Sequence, residues 1–97
     1  MEFIQIIESR TKDIDAMMAL EQEWEQATEG KRTARRSIVT RDRNDPDRHL
    51  VIVFFDSYES AMENSRLPET QELSAKMGTL MEGETRFHDL DVIAERL

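Results

Sequence analysis

Strand-like and helix-like segments follow one another in the order strand, helix, strand, strand, helix, strand. This order predicts a ferredoxin-like βαββαβ domain of the α+β class, an antiparallel sheet with helices on one face. Three observations carry the expectation. The segments 3–8 and 50–55 are short, apolar and rich in β-branched or aromatic residues, as strands are. Two longer stretches repeat apolar residues at helical spacing. The segment 35–42 is strand-like but heavily charged, as an edge strand is when it must not pair with strangers. At 97 residues the chain makes one domain, spanning 1–97, with no repeat, low-complexity run or Gly/Pro/Ser-rich linker.

Each element has its own signals. Thr11 can cap the first helix, with Asp13 and Asp15 in the opening turn, where the helix dipole favours negative charge. Ile14, Met17, Met18 and Trp24 form its apolar stripe, with Leu20 at the margin, and Gly30 is a natural terminator. The second strand holds only two large apolar residues, Ile38 and Val39. Asn44-Asp45-Pro46-Asp47 then turns the chain, because proline fixes φ and the Asn and Asp side chains bond to nearby backbone. Leu50 to Phe55 is an unbroken apolar run, so the two strands make a hairpin. Asp56 or Ser57 caps the next helix, and Asp56 with Glu59 resembles a capping box. Pro68 splits this region into a helix over 57–65 and a second over 68–81, ended by Gly83. Phe87, Leu90, Val92 and Ile93 are the apolar members of a last strand over 85–93.

Strand three also predicts a partner. A sheet with helices on one face should alternate apolar and polar residues, since its other face meets water. Strand three does not alternate: whichever set faces the helices, either Leu50, Ile52 and Phe54 or Val51, Val53 and Phe55 points the opposite way. Burying three such side chains stabilises by about 5–9 kcal/mol at roughly 1.5–3 kcal/mol each. That is comparable with the entire stability of a typical domain. A second copy of the chain is the economical cover, twofold pairing being the commonest assembly.

Charge and composition exclude several classes. The net charge is −8, from 21 acids against 13 Lys and Arg, which repels a phosphate backbone and argues against nucleic acid. The distribution is uneven. Residues 31–48 hold seven cations (Lys31, Arg32, Arg35, Arg36, Arg41, Arg43, Arg48) against Asp42, Asp45 and Asp47, a local +4 that leaves −12 for the rest. That stretch reads either as an anion-binding patch or as a protected edge hairpin. The absence of cysteine rules out disulfides and thiolate metal sites and suits a reducing cytoplasm. No stretch reaches the roughly 18 apolar residues that span a membrane, and the first residues lack a signal-peptide pattern, so a cytosolic protein is expected.

Several features together resemble a known family. They are a short first strand, an amphipathic helix bearing Trp24, a hairpin, and an aromatic strand ending Phe54-Phe55-Asp56-Ser57-Tyr58-Glu59-Ser60-Ala61. They resemble the antibiotic biosynthesis monooxygenase superfamily, the dimeric α+β barrels. Asn64-Ser65-Arg66-Leu67-Pro68-Glu69-Thr70-Gln71-Glu72 is similar to small actinobacterial members, and the resemblance covers nearly the whole chain. It implies a homodimer. It also implies oxidation of a small aromatic or polyketide-like molecule without metal or flavin; the alternative is a dimeric accessory protein that binds a small molecule and does no chemistry. Heme-opening relatives need an Asn on the first strand, a Trp at the end of the third and a His on the last helix. Here the matching regions offer Gln5, Phe54 or Phe55, and Lys76 or Met77, which counts against heme.

Among individual residues Glu21 stands out. At 100° per residue it falls between Met17 and Ile14, inside the apolar stripe, where a carboxylate loses solvent and its pKa rises. It is the candidate general base; pairing with an Arg of the hairpin is the competing reading. His88 in the last strand is the second catalytic candidate, as a proton shuttle, and His49 at the start of strand three shares the chemistry. Both also suit strand-end or interface positions. Trp24, Phe54, Phe55 and Tyr58 are candidates to line a pocket for an aromatic ligand, and each is equally a packing residue. Two isolated histidines have no metal-ligand spacing, so neither a metal nor a cofactor is expected.

Overall fold

The computed structural model describes every residue from Met1 to Leu97. Its elements run β1 (Phe3–Arg10), α1 (Ile14–Ala27), β2 (Arg36–Arg41), β3 (Arg48–Phe55), α2 (Tyr58–Arg66), α3 (Pro68–Gly78) and β4 (Arg86–Asp91). The sheet is antiparallel with strand order β2-β3-β1-β4, so the two most apolar strands are central and the charged strand is an edge. This is the ferredoxin-like α+β fold that the element order predicts.

The register sorts the side chains into two faces. Phe3 lies opposite Phe55, Ile7 opposite Val51 and Ser9 opposite His49, and these point towards the helices. Phe3 and Phe55, both 2% exposed, pack with Ala61 of α2 to form the core, flanked by Ala34, Val53 and Met62. Tyr58, at the start of α2, meets the Phe3 ring edge-on at 5.5 Å. On the other face Ile4 lies opposite Phe54, Ile6 opposite Ile52, Ile38 opposite Ile52, and Ile4 opposite Leu90. Strand three therefore sends Val51, Val53 and Phe55 to the helices and Leu50, Ile52 and Phe54 outward. The outward set is only half-buried within one chain.

Caps and turns differ in detail from the sequence expectation. Asp13, not Thr11, caps α1, its carboxylate accepting the Ala16 N–H at 3.0 Å. Thr11 is buried instead, and its hydroxyl donates to the Leu80 carbonyl. Ser57 caps α2 by accepting the Ser60 N–H, while Asp56 is drawn away to Arg35 at 2.8 Å, so there is no Asp56–Glu59 capping box. Leu67, held extended at φ −60° and ψ 134°, separates α2 from α3, as the residue before a proline is biased to do. Helix α3 stops at Gly78, short of Gly83, which with φ +71° serves the turn into β4. The last strand is also shorter than expected; Ile93 lies beyond it, 91% exposed.

The helical layer is uneven. Helix α2 packs on β1 and β3, α3 packs on α1 and α2, and α1 lies closely against α3. Met17 of α1 is 2% exposed. An opening lies between α1 and the edge strand β2.

Candidate functional site

An open cleft lies between α1 and β2. Asp15, Met18, Ala19, Glu21, Gln22 and Glu25 line it from the helix, and Ser37 and Val39 from the strand. The sequence explains the arrangement. Met18, Gln22 and Glu25 follow at spacings of four and three, so they share one helix side with Glu21. Ser37 and Val39 are the alternate residues of β2 that face the helices, paired with Val53 and Val51.

Glu21 dominates the electrostatics there. Burial raises its pKa above the ordinary carboxylate value, and the nearby negative charge of Glu25 adds to the effect. No Arg of the hairpin reaches it: Arg35 pairs with Asp56, and Arg48 with Glu8 and Asp42. A carboxylate that is costly to ionise and faces an opening can accept a proton from a bound molecule and hold it as a neutral acid.

The other candidates fall elsewhere. His88 is on the outer face of β4, bonded through Nε2 to the Glu8 carboxylate at 3.2 Å, so the sheet separates it from Glu21. Those two residues do not form one catalytic pair. Trp24 lines a shallow groove between α1 and α3 with Leu20, Ala27 and Leu73, and its Nε1 donates to Thr70 at 2.9 Å. Phe54 lies on the outer face beneath the Arg36 guanidinium, 5.2 Å from the ring centre. Phe55 is core and Tyr58 is half-exposed above Phe3. The aromatic set is thus spread over three places and lines no common pocket. Its members sit on different faces of their elements, and pattern alone does not reveal which face meets which neighbour.

Three of the seven cations of residues 31–48 are paired with carboxylates. Arg48 joins Glu8 and Asp42, Arg35 joins Asp56, and Lys31 joins Glu69, while Arg32 and Arg36 lie over the Trp24 and Phe54 rings. No group of three His, Asp or Glu side chains is arranged to hold a metal ion, and no helix is long and apolar enough to cross a membrane.

His49 is the residue that sequence reasoning undervalued. It is 1% exposed, points to the helical side opposite Ser9 and Arg41, and neither ring nitrogen has a hydrogen-bond partner. The signal was available, because His49 shares the parity of Val51 and Phe55 along β3.

No protein-family model and no curated protein sequence matches the chain. Solved structures do match its fold. A variant of SnoaB, a cofactor-independent oxygenase from Streptomyces nogalater, is similar with TM-score 0.82 at 7% identity, over 97% of this chain and 95% of that one. Rv0793 from Mycobacterium tuberculosis is similar with TM-score 0.80 at 14% identity, over 98% of each chain. A protein described as an antibiotic biosynthesis monooxygenase gives TM-score 0.76 at 14% identity, over 95% of this chain and 99% of that one. The chain therefore has the α+β fold of the antibiotic biosynthesis monooxygenases. At these identities the likeness concerns architecture.

Proposed function

We propose that the chain works as a homodimer. In each copy the α1–β2 cleft takes a small aromatic or polyketide-like molecule and oxidises it with molecular oxygen, using neither metal nor flavin. The observation that carries the reading is Glu21: a partly desolvated carboxylate, free of any cation, on the wall of a cleft. Such a group can take the acidic proton of an anthrone-type substrate. The resulting carbanion supplies the electrons that reduce oxygen. In balance, the ring CH2 becomes C=O with one oxygen atom, and the other leaves with two hydrogens as water. SnoaB, a cofactor-independent oxygenase of the same fold, gives this chemistry a precedent.

Oxygen uptake with a panel of anthrones and quinols tests the proposal. Glu21→Ala should abolish turnover and Trp24→Ala, outside the cleft, should spare most of it. Turnover unaffected by Glu21→Ala rejects the site.

A second reading, a dimeric small-molecule binder without chemistry, is favoured by one observation: Glu21 and His88 lie on opposite sides of the sheet. A bound endogenous molecule seen by native mass spectrometry, with no turnover, would select it. Support for the dimer comes from the outer face, where Ile4, Ile6, Ile38, Leu50, Ile52 and Phe54 are half-buried and Leu90 is 45% exposed.

A further inference from the structure

We infer that the unpaired edge of β2 at Ser37 and Val39 holds the carbonyl oxygen of the cleft's ligand by a backbone N–H. The inference rests on the ligand reading of the α1–β2 cleft. It adds to that reading the group that receives the charge when Glu21 takes a proton. The starting fact is the hydrogen-bond parity of the sheet. In an antiparallel ladder the residues of a strand alternate between bonding one neighbour and facing the other way. The Asp42 N–H donates to the Arg48 carbonyl at 2.9 Å, and the β2–β3 pairs keep the register of that bond, Thr40 opposite Leu50 and Ile38 opposite Ile52. Arg36, Ile38 and Thr40 therefore bond β3, while Ser37, Val39 and Arg41 turn their N–H and C=O groups away from it. No strand lies on that side, because β2 ends the sheet, and no turn, loop or cap bond takes up the Ser37 or Val39 N–H.

The cleft lies at this edge. Its strand wall is Ser37 and Val39, and no residue of β1 or β3 lines it. The space is thus beside the sheet, where the free groups point, rather than over its centre. Glu21 lines the same space from α1. Donors on a sheet edge are held by the ladder behind them, so they are in place before a ligand arrives. The arginines of the strand keep another strand away: a second β2 laid alongside would bring Arg36 and Arg41 against their own counterparts.

The lining sets the chemistry. It holds three carboxylates, Asp15, Glu21 and Glu25, and no cation, so an anionic ligand is repelled. An aromatic ketone enters neutral. Glu21 removes a proton from the ring CH2 conjugated with the carbonyl, and the C–H electron pair moves through the ring onto oxygen. The products are an enolate and a neutral Glu21, so the charge of the cleft as a whole is unchanged. A backbone N–H then bonds the enolate oxygen more strongly than it bonded the ketone, which favours the transfer.

Full-length protein labelled with 15N and with 13C-methyl methionine is titrated with 1-tetralone, and with tetralin, the same ring system without the oxygen. The expected result is a saturable downfield shift of the Ser37 or Val39 amide proton with tetralone only. Both compounds should move the methyl of Met18 on the cleft wall. Proline removes a free N–H without breaking the ladder, since an edge strand tolerates it where the N–H faces outward. Ser37→Pro or Val39→Pro should therefore weaken tetralone binding about tenfold, the loss of one hydrogen bond, and leave tetralin binding unchanged. Amides that stay silent while the Met18 methyl saturates, or two proline variants that bind tetralone as well as wild type, overturn the role of the edge and leave the cleft its ligand. Ser37 and Val39 amides already protected from hydrogen exchange in the free protein would mean that another copy occupies the edge, which overturns it too. A Met18 methyl that neither compound moves removes the cleft reading, and the edge falls with it.

Discussion

The two faces of the sheet carry nearly equal amounts of apolar side chain, yet only one is covered. Towards the helices lie Phe3, Val51 and Phe55, each at most 3% exposed. Away from them lie Ile4, Ile6, Ile52 and Phe54, half-buried by their neighbours in the sheet and covered by nothing. The difference is not in hydrophobicity but in what the same chain can reach. Its helices cover one face and leave the other bare. The faces also differ in how they treat a carboxylate. Glu21, on the helical side, is made harder to ionise by burial, whereas Glu8, on the outer face, is made easier to ionise by Arg48 and then His88.

The largest effect should come from the covered face. Phe55→Ala removes a fully buried ring that packs on Phe3 at 6.3 Å between centroids and on Ala61. Truncations of this type cost about 3–5 kcal/mol, a large share of a small domain's stability. Urea unfolding of the variant should show this loss, and a loss under about 1 kcal/mol would mean that the two faces are not divided as described.

Next comes the bare face. Ile52→Asp places a charge at the centre of the outward apolar set, between Ile6 and Ile38. In a dimer closed over that face, the dissociation constant should rise about 100-fold or more, roughly 2.7 kcal/mol or more. The monomer should keep its fold, because no helix touches the site. Sedimentation reads the change as a shift from twice 11.4 kDa to the single-chain mass. A wild-type chain that already sediments as one copy at micromolar concentration removes the dimer altogether.

A third test uses Glu21. Its folded-state pKa is raised, so the folded chain holds this proton more tightly than the unfolded one does. Ionised Glu21 therefore destabilises at neutral pH, and the penalty is relieved as pH falls through its folded pKa. Glu21→Gln should melt higher than wild type at pH 7, with the gap closing on acidification towards pH 4.5, the ordinary glutamate value. A gap independent of pH would show that Glu21 is solvated.

How much of the fold and the cleft was legible in the sequence depended on whether a signal was periodic or relational. The strand order follows from composition: apolar runs at 3–8 and 50–55 go to the centre and the arginine-rich strand to an edge. The unalternating run of β3 implied two apolar faces, and the register then decided which set turns outward. Glu21 was legible because a polar residue inside a helical stripe breaks the period. The separation of Glu21 from His88 was not. It depends on strand parity in β4, which flips with a single residue of register. His49 was hidden for the related reason that isolation from hydrogen-bond partners is a property of the packed neighbourhood. The cap of α1 moved from Thr11 to Asp13 because Thr11 is tied to Leu80, 69 residues away in sequence.

The smallest effect separates the two carboxylates most cleanly. Glu8 is held below the ordinary glutamate value, first by its hydrogen bond from Arg48 at 3.1 Å and then by His88. A depressed folded pKa means that the unfolded chain binds the proton first as pH falls. The contribution of Glu8 is therefore complete above pH 4.5, its ordinary value, and fades as acid approaches its folded pKa. This is opposite in sign to Glu21. Glu8→Gln should consequently be less stable than wild type at neutral pH by a small margin, since exposed ion pairs contribute little, and should converge on it in acid. Following both variants by thermal melting between pH 7 and pH 3 would give gaps of opposite sign that both close as acid is added. Two gaps of the same sign would mean that both faces present their carboxylates to the same solvent.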